Sequence, residues 1–101
     1  MKNVNVARFH REFSDTLEEC LYWDYMVTFA IRDKRTRLLD RYSPKANYVR
    51  RVCLGLRVAF NALHGQQARM AFENHYEALF SNSIWDKARR QYEADKAMEL
   101  V

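Results

Sequence analysis

Only two glycines, Gly55 and Gly65, and a single proline, Pro44, punctuate the 101 residues. β-Hairpins and long irregular loops depend on such residues for their turns, so this scarcity excludes a sheet-rich fold and points to helices. Cysteines number two, Cys20 and Cys53, too few for the disulfide framework of a small secreted domain. Read as reduced thiols, they place the chain in the cytoplasm or another reducing intracellular compartment. The longest nearly uncharged apolar run, residues 20–31, covers twelve positions and contains Asp24. A bilayer requires about 20, so no membrane span is expected. The N-terminus runs through Lys2, Arg8 and Arg11 to Glu12, Asp15, Glu18 and Glu19. It has neither the apolar run of a signal peptide nor the acid-free stretch of a transit peptide.

Chemistry-bearing motifs are equally sparse. No Gly-rich phosphate cradle is present, and His10, His64 and His75 occur in neither a Glu-x-x-His nor a His-x-x-x-His pattern. Nucleotide enzymes and helix-borne zinc or di-iron sites lack their usual spacing. His10 and Ser14 share a helix face, but nothing supplies an orienting group or an oxyanion site. The expectation is a non-enzymatic protein with no catalytic residue, no metal and no cofactor.

What is there is helical periodicity. Val6, Phe9, Phe13, Leu17, Cys20, Val27, Ile31 and Leu38 recur at intervals of three and four, predicting a first helix from near Asn5. A break at Ser14-Asp15 is the alternative, because Asp15 followed by Glu18 imitates a capping box. Ser43-Pro44 reads as the start of a second helix, with Ser at the N-cap and Pro at the first helical position. That helix is predicted to reach His64, with Gly65 as its C-cap and Val49, Val52, Cys53, Leu56, Phe60 and Leu63 as its core stripe; Leu54 and Val58 lie off that stripe. A third helix is expected from about Gln67 to Phe80, a loop at Ser81-Asn82-Ser83, and a polar fourth helix from Ile84 to about Met98 that frays beyond Asp95. The chain reads as one all-α domain over residues 1–101, a compact bundle of three or four helices with the first two forming a long antiparallel pair.

Charge is distributed unevenly. Nine of the seventeen Lys and Arg residues fall between Arg32 and Arg57, where Asp33 and Asp40 are the only acids, a local balance of +7 within a chain of +4. Such a field steers anionic partners. With the turn placed at Ser43, Arg37, Arg41, Ser43, Lys45 and Arg51 form a candidate anion site at a helix N-terminus. Tyr42 and Tyr48 interleave with these cations, a pattern compatible with sequence-tolerant contact to nucleic acid, although two apolar sides on the second helix argue against a groove-reading helix-turn-helix. Aromatics make up 14% of the chain, more than a small helical core buries comfortably. Tyr22, Trp23, Trp85, Arg35, Arg50 and Arg57 are therefore the candidate contacts with a protein partner, since rings and guanidinia dominate interface energetics. Asp24, placed opposite Arg57 and Asn61, is read as half of a structural ion pair. The leading functional expectation is stoichiometric binding to another protein as accessory subunit, adaptor or inhibitor, with self-association compatible. Nucleic-acid binding is the alternative.

Overall fold

A computed structural model describes residues 5–99; residues 1–4 and 100–101 lie outside it. Three helices, α1 (Val6–Arg32), α2 (Thr36–His64) and α3 (Gln66–Glu99), pack against one another, and no strand occurs among the described residues. The fold is an all-α bundle, 55 Å along its longest axis and about 20 Å across. Contacts between α1 and α2 descend in order, His10 with His64, Phe13 with Phe60, Asp24 with Arg50. Those between α1 and α3 rise together, Phe13 with Phe72, Tyr25 with Trp85, Phe29 with Tyr92.

Each helix end has a local cause. Asn5 caps α1, its side-chain oxygen accepting from the Arg8 N–H at 2.9 Å. At the other end Arg35 N–H bonds back to Ala30 C=O and Lys34 N–H to Ile31 C=O, closing a Schellman turn around Lys34 at φ 55°. This reversal lies ten residues before the expected one. Ser43 and Pro44 fall inside α2, where Pro44 deprives the Asp40 carbonyl of its helical donor. The sequence signal failed because the true turn uses Lys where glycine is usual, and because the first position of α2 has no side-chain cap. The second reversal is where the sequence put it. Gly65 adopts φ 92°, ψ 159°, a backbone region reserved almost entirely to glycine.

The first helix is single, as the leading reading had it, and two expectations further along the chain are corrected. Ser14 does not break α1; it is buried, and its hydroxyl donates to the Arg11 carbonyl within the helix. Ser81-Asn82-Ser83 is not a loop, since α3 runs through it with Ser83 donating to the Phe80 carbonyl, so the count among the described residues is three helices and not four. Nor does the chain fray at Asp95, which accepts from Tyr42 at 2.6 Å and from Gln91 at 2.8 Å.

The core has two parts. Met26, Phe29, Ala30, Leu38, Tyr42, Ala88 and Tyr92 fill the end near the Lys34 turn, and Phe13, Leu17, Cys53 and Phe60 fill the end near Gly65. Val52 and Leu63, expected in the core stripe of α2, are largely exposed. At about 1.5–3 kcal/mol for each large side chain buried, this set supplies the main driving force for folding.

The two turns make opposite predictions. Replacing Lys34 with Gly removes a left-handed strain and is expected to raise stability by about 0.5–1 kcal/mol, after the added freedom of the unfolded chain is deducted. Gly65→Ala is expected to lower it by about 1–3 kcal/mol, although a Cβ there would touch nothing within 4 Å. Urea denaturation of the two variants beside wild type measures both signs.

Candidate functional site

The register set at Lys34 sorts the basic residues into two groups. Arg50 reaches across to Asp24, with Nη2 2.7 Å and Nε 3.1 Å from the same carboxylate oxygen. Arg57 grips Glu73 with both of its forks, at 3.0 and 3.3 Å, and Arg69 shares that carboxylate at 2.9 Å. Arg35 lies 3.8 Å from Glu99. All three arginines expected at a partner interface thus tie one helix to another. Asp24 is an interhelical pair as anticipated, with Arg50 as its partner instead of Arg57, because the earlier turn shifts α2 along α1.

The expected interface aromatics also have internal work. Trp85 sets its edge against Phe29 and Tyr25, at centroid distances of 4.8 and 5.1 Å. Trp23 leans on Tyr42 and forms a T-shaped pair with Tyr22. Each of these two rings carries a lysine, Lys45 over Trp23 at 5.1 Å and Lys87 over Tyr22 at 5.5 Å. Tyr22, Trp23 and Trp85 are half-buried.

The proposed anion site changes character as well. Ser43 and Lys45 lie inside α2, so no free helix N-terminus supports them. Arg37, Arg41 and Arg51 remain exposed, with no acidic partner among the described residues.

Those three arginines belong to a longer surface. The buried side of α2 is Leu38, Tyr42, Ala46, Val49, Cys53 and Phe60. At 100° per residue the opposite side carries Arg37, Asp40, Arg41, Pro44, Asn47, Tyr48, Arg51, Gly55, Val58 and Ala62, all exposed, with Val52 at its edge. Val58 is 69% exposed, Tyr48 63% and neighbouring Leu54 56%. Beyond Arg51 the only Lys, Arg, Asp or Glu in α2 is Arg57, which turns inward to Glu73. The outward face is therefore basic with one tyrosine over its first half and apolar over its second.

Three polar features lie off this face. Cys20 and Cys53 are free thiols facing each other across α1 and α2. The neighbouring Cys20 thiol, helped by Arg57, draws the Cys53 thiol down, while Cys53, burial and Asp24, to which Cys20 donates at 3.9 Å, push Cys20 up. Cys53 is 1% exposed, so its acidity is not offered to solvent. The second feature is a pair of tyrosine–aspartate hydrogen bonds, Tyr42 to Asp95 at 2.6 Å and Tyr92 to Asp33 at 2.7 Å. The Tyr92 bond, with Lys96 beside it, holds the Asp33 carboxyl below its usual range. Burial and the donated bond lift Tyr92 to about 12, and the same causes lift Tyr42 further. Third, no three His, Cys, Asp or Glu side chains among the described residues converge on a metal-sized site, but His10 and His64 do meet, with their Nε2 atoms 3.0 Å apart.

No protein-family model matches the chain, and no curated protein or solved structure is significantly similar to it.

The tyrosine pair sets an alkaline limit. A folded pKa above the unfolded value near 10 means that the folded state holds the phenolic proton more tightly, so this stabilisation is complete below pH ~10 and is lost as pH climbs through about 12. Ionisation followed at 295 nm is expected to show two of the six tyrosines titrating together with loss of helical circular dichroism. Tyr42→Phe is expected to cost about 1.5–3 kcal/mol at neutral pH, as for loss of a hydrogen bond to a charged partner.

Proposed function

We propose that this protein is a non-enzymatic binding module that docks stoichiometrically on another protein through the outward face of α2. The observation that carries the reading is the continuity of exposed Tyr48, Val52, Leu54 and Val58 with Arg37, Arg41 and Arg51, which form no ion pair among the described residues and outnumber Asp40, the one acid beside them. An apolar helix face with one charged end is half of a helix-against-helix interface, read as anchors spaced three and four apart. The complementary occupant is a partner helix with an apolar stripe and an acidic flank. Tyr48 is the aromatic anchor, Val52 and Val58 supply apolar contact, and the arginines give orientation and on-rate more than affinity. Such a module can serve as accessory subunit, adaptor or inhibitor.

Contact with nucleic acid is the second reading, favoured by the same arginines beside an exposed Tyr48. The two diverge in their dependence on salt. Phosphate contacts weaken log-linearly, with a slope near −0.9 for each phosphate neutralised on a duplex, whereas an interface centred on Tyr48 and the valines changes little.

The test is site-specific photocrosslinking in the source cell, with the photoreactive residue at position 52 or 58 and a control at exposed Glu77 on α3. One protein adduct of fixed stoichiometry is expected from 52 and 58 and none from 77. Val58→Asp is expected to abolish the adduct at 52 while shifting Tm by no more than about 2 °C, because the side chain faces solvent. Adducts to nucleic acid alone would select the second reading, adducts between copies of the chain would make the face a homodimer contact, and equal labelling at 77 would reject the surface.

A further inference from the structure

At the end of the bundle remote from the Lys34 turn, two imidazoles are brought together from positions 54 residues apart. His10 lies in the second turn of α1 and His64 is the last residue of α2. Their Nε2 atoms are 3.0 Å apart and their ring centroids 5.0 Å apart. Both rings are held by aromatic neighbours, His10 by Phe60 at 5.4 Å and Phe72 at 5.3 Å, and His64 by Phe60 at 4.8 Å. Ring contacts and the mutual hydrogen bond restrict both side chains, so a ligand that uses both rings finds part of their conformational entropy already lost.

We propose that His10 and His64 form a two-imidazole site for a divalent transition-metal ion. Without the ion, one Nε2 must donate a hydrogen bond and the other accept it, so a single proton sits between the two nitrogens. An ion takes the place of that proton and accepts a lone pair from each. Two nitrogens about 2.0–2.1 Å from one ion lie roughly 2.9 Å apart at a right angle and roughly 3.4 Å apart in a tetrahedron. The observed 3.0 Å separation matches adjacent positions of a tetragonal shell and is a few tenths of an ångström short of a tetrahedral one; the ion lies off the line between the nitrogens, so each ring tilts to aim its lone pair at it and the shared proton moves to the donor ring's Nδ1. Tetragonal nitrogen and oxygen coordination suits Ni(II) and Cu(II), and imidazole also suits Zn(II). Both rings reach solvent, so water completes the shell and the ion exchanges readily. Because one ligand comes from the start of α1 and the other from the end of α2, the ion clamps the two helices at the end of the bundle filled by Phe9, Phe13 and Phe60.

The experiment uses the full chain without a polyhistidine tag. Zn(II) is titrated into protein labelled with ¹⁵N at histidine, and the ring nitrogens are followed by long-range proton–nitrogen correlation. The Nε2 resonances of His10 and His64 are expected to move together to a 1:1 end point while those of exposed His75 stay fixed. Ni(II) calorimetry is expected to give the same stoichiometry, with affinity reduced at least about tenfold in His10→Gln and in His64→Gln, the scale on which loss of one ligand acts. Metal in roughly hundredfold excess over Kd is expected to raise Tm by about 10–20 °C in wild type only. Unmoved His10 and His64 resonances, or equal movement of His75, would overturn the site. The nitrogen readout is made on the wild-type chain, so it decides the matter even where a variant misfolds.

Discussion

The position of one reversal, Lys34, determines which side chains of α1 and α2 meet. A helix advances 1.5 Å per residue, so moving the turn by ten residues slides one helix along the other by about 15 Å or more and rotates the facing set. With the Schellman turn at residues 30–35, Asp24 faces Arg50, Cys20 faces Cys53 and His10 faces His64. A turn at Ser43 would dissolve all three pairs. The ion pair, the coupled thiols and the joined imidazoles are thus consequences of a single backbone decision, made by a lysine in a conformation that costs roughly 1–2 kcal/mol for a residue with a Cβ.

That register also gives the basic segment a double character. Arg50 and Arg57 fall at the flanks of the buried side of α2 and find carboxylates on α1 and α3, while Arg37, Arg41 and Arg51 fall on the far side. Charge density along the sequence cannot separate the two groups, because the division is angular. Glu73 shows the energetic logic. It is mostly buried and takes hydrogen bonds from Arg57 and Arg69, so each guanidinium offsets the desolvation of a carboxylate that would otherwise be costly. The far-side cations form no such ion pair within the described fold, and exposed Asp40 is the one acid on their side of α2, so that side stays net positive.

Helical class, the start of α1 at Asn5 and the stop at Gly65 were legible because each rests on a local rule: hydrophobic period, a capping side chain, a backbone region only glycine enjoys. Pro44 and Ser81–Ser83 misled because local rules there were overridden by packing. Tyr42 and Ala46 are buried on either side of Pro44, and Ile84 and Ala88 are buried just past Ser83, so continuing the helix recovers more than a broken turn loses. The outward side of α2 was half visible, since Leu54 and Val58 fall off any core stripe, whereas Val52 and Leu63 could not be excluded from the core until the position of α3 was known. His10 with His64 lay beyond reach, because no spacing rule links residues from two helices whose register depends on an unmarked turn.

The outward face of α2 also collects that helix's weakest formers. Pro44 forfeits a backbone hydrogen bond, and Gly55 costs about 1 kcal/mol relative to alanine in a helix interior. Neither is required by the core: Pro44 is exposed, and a Cβ at Gly55 would meet no atom within 4 Å. Alanine at 55 would strengthen the isolated bundle, so the monomer's own stability does not account for glycine there. The docking proposed for this face would use the gap, because the missing Cβ leaves room for a partner backbone to settle between Val52 and Val58. The same local choices that weaken α2 alone are consistent with a helix that reaches its best packing when another chain lies against it.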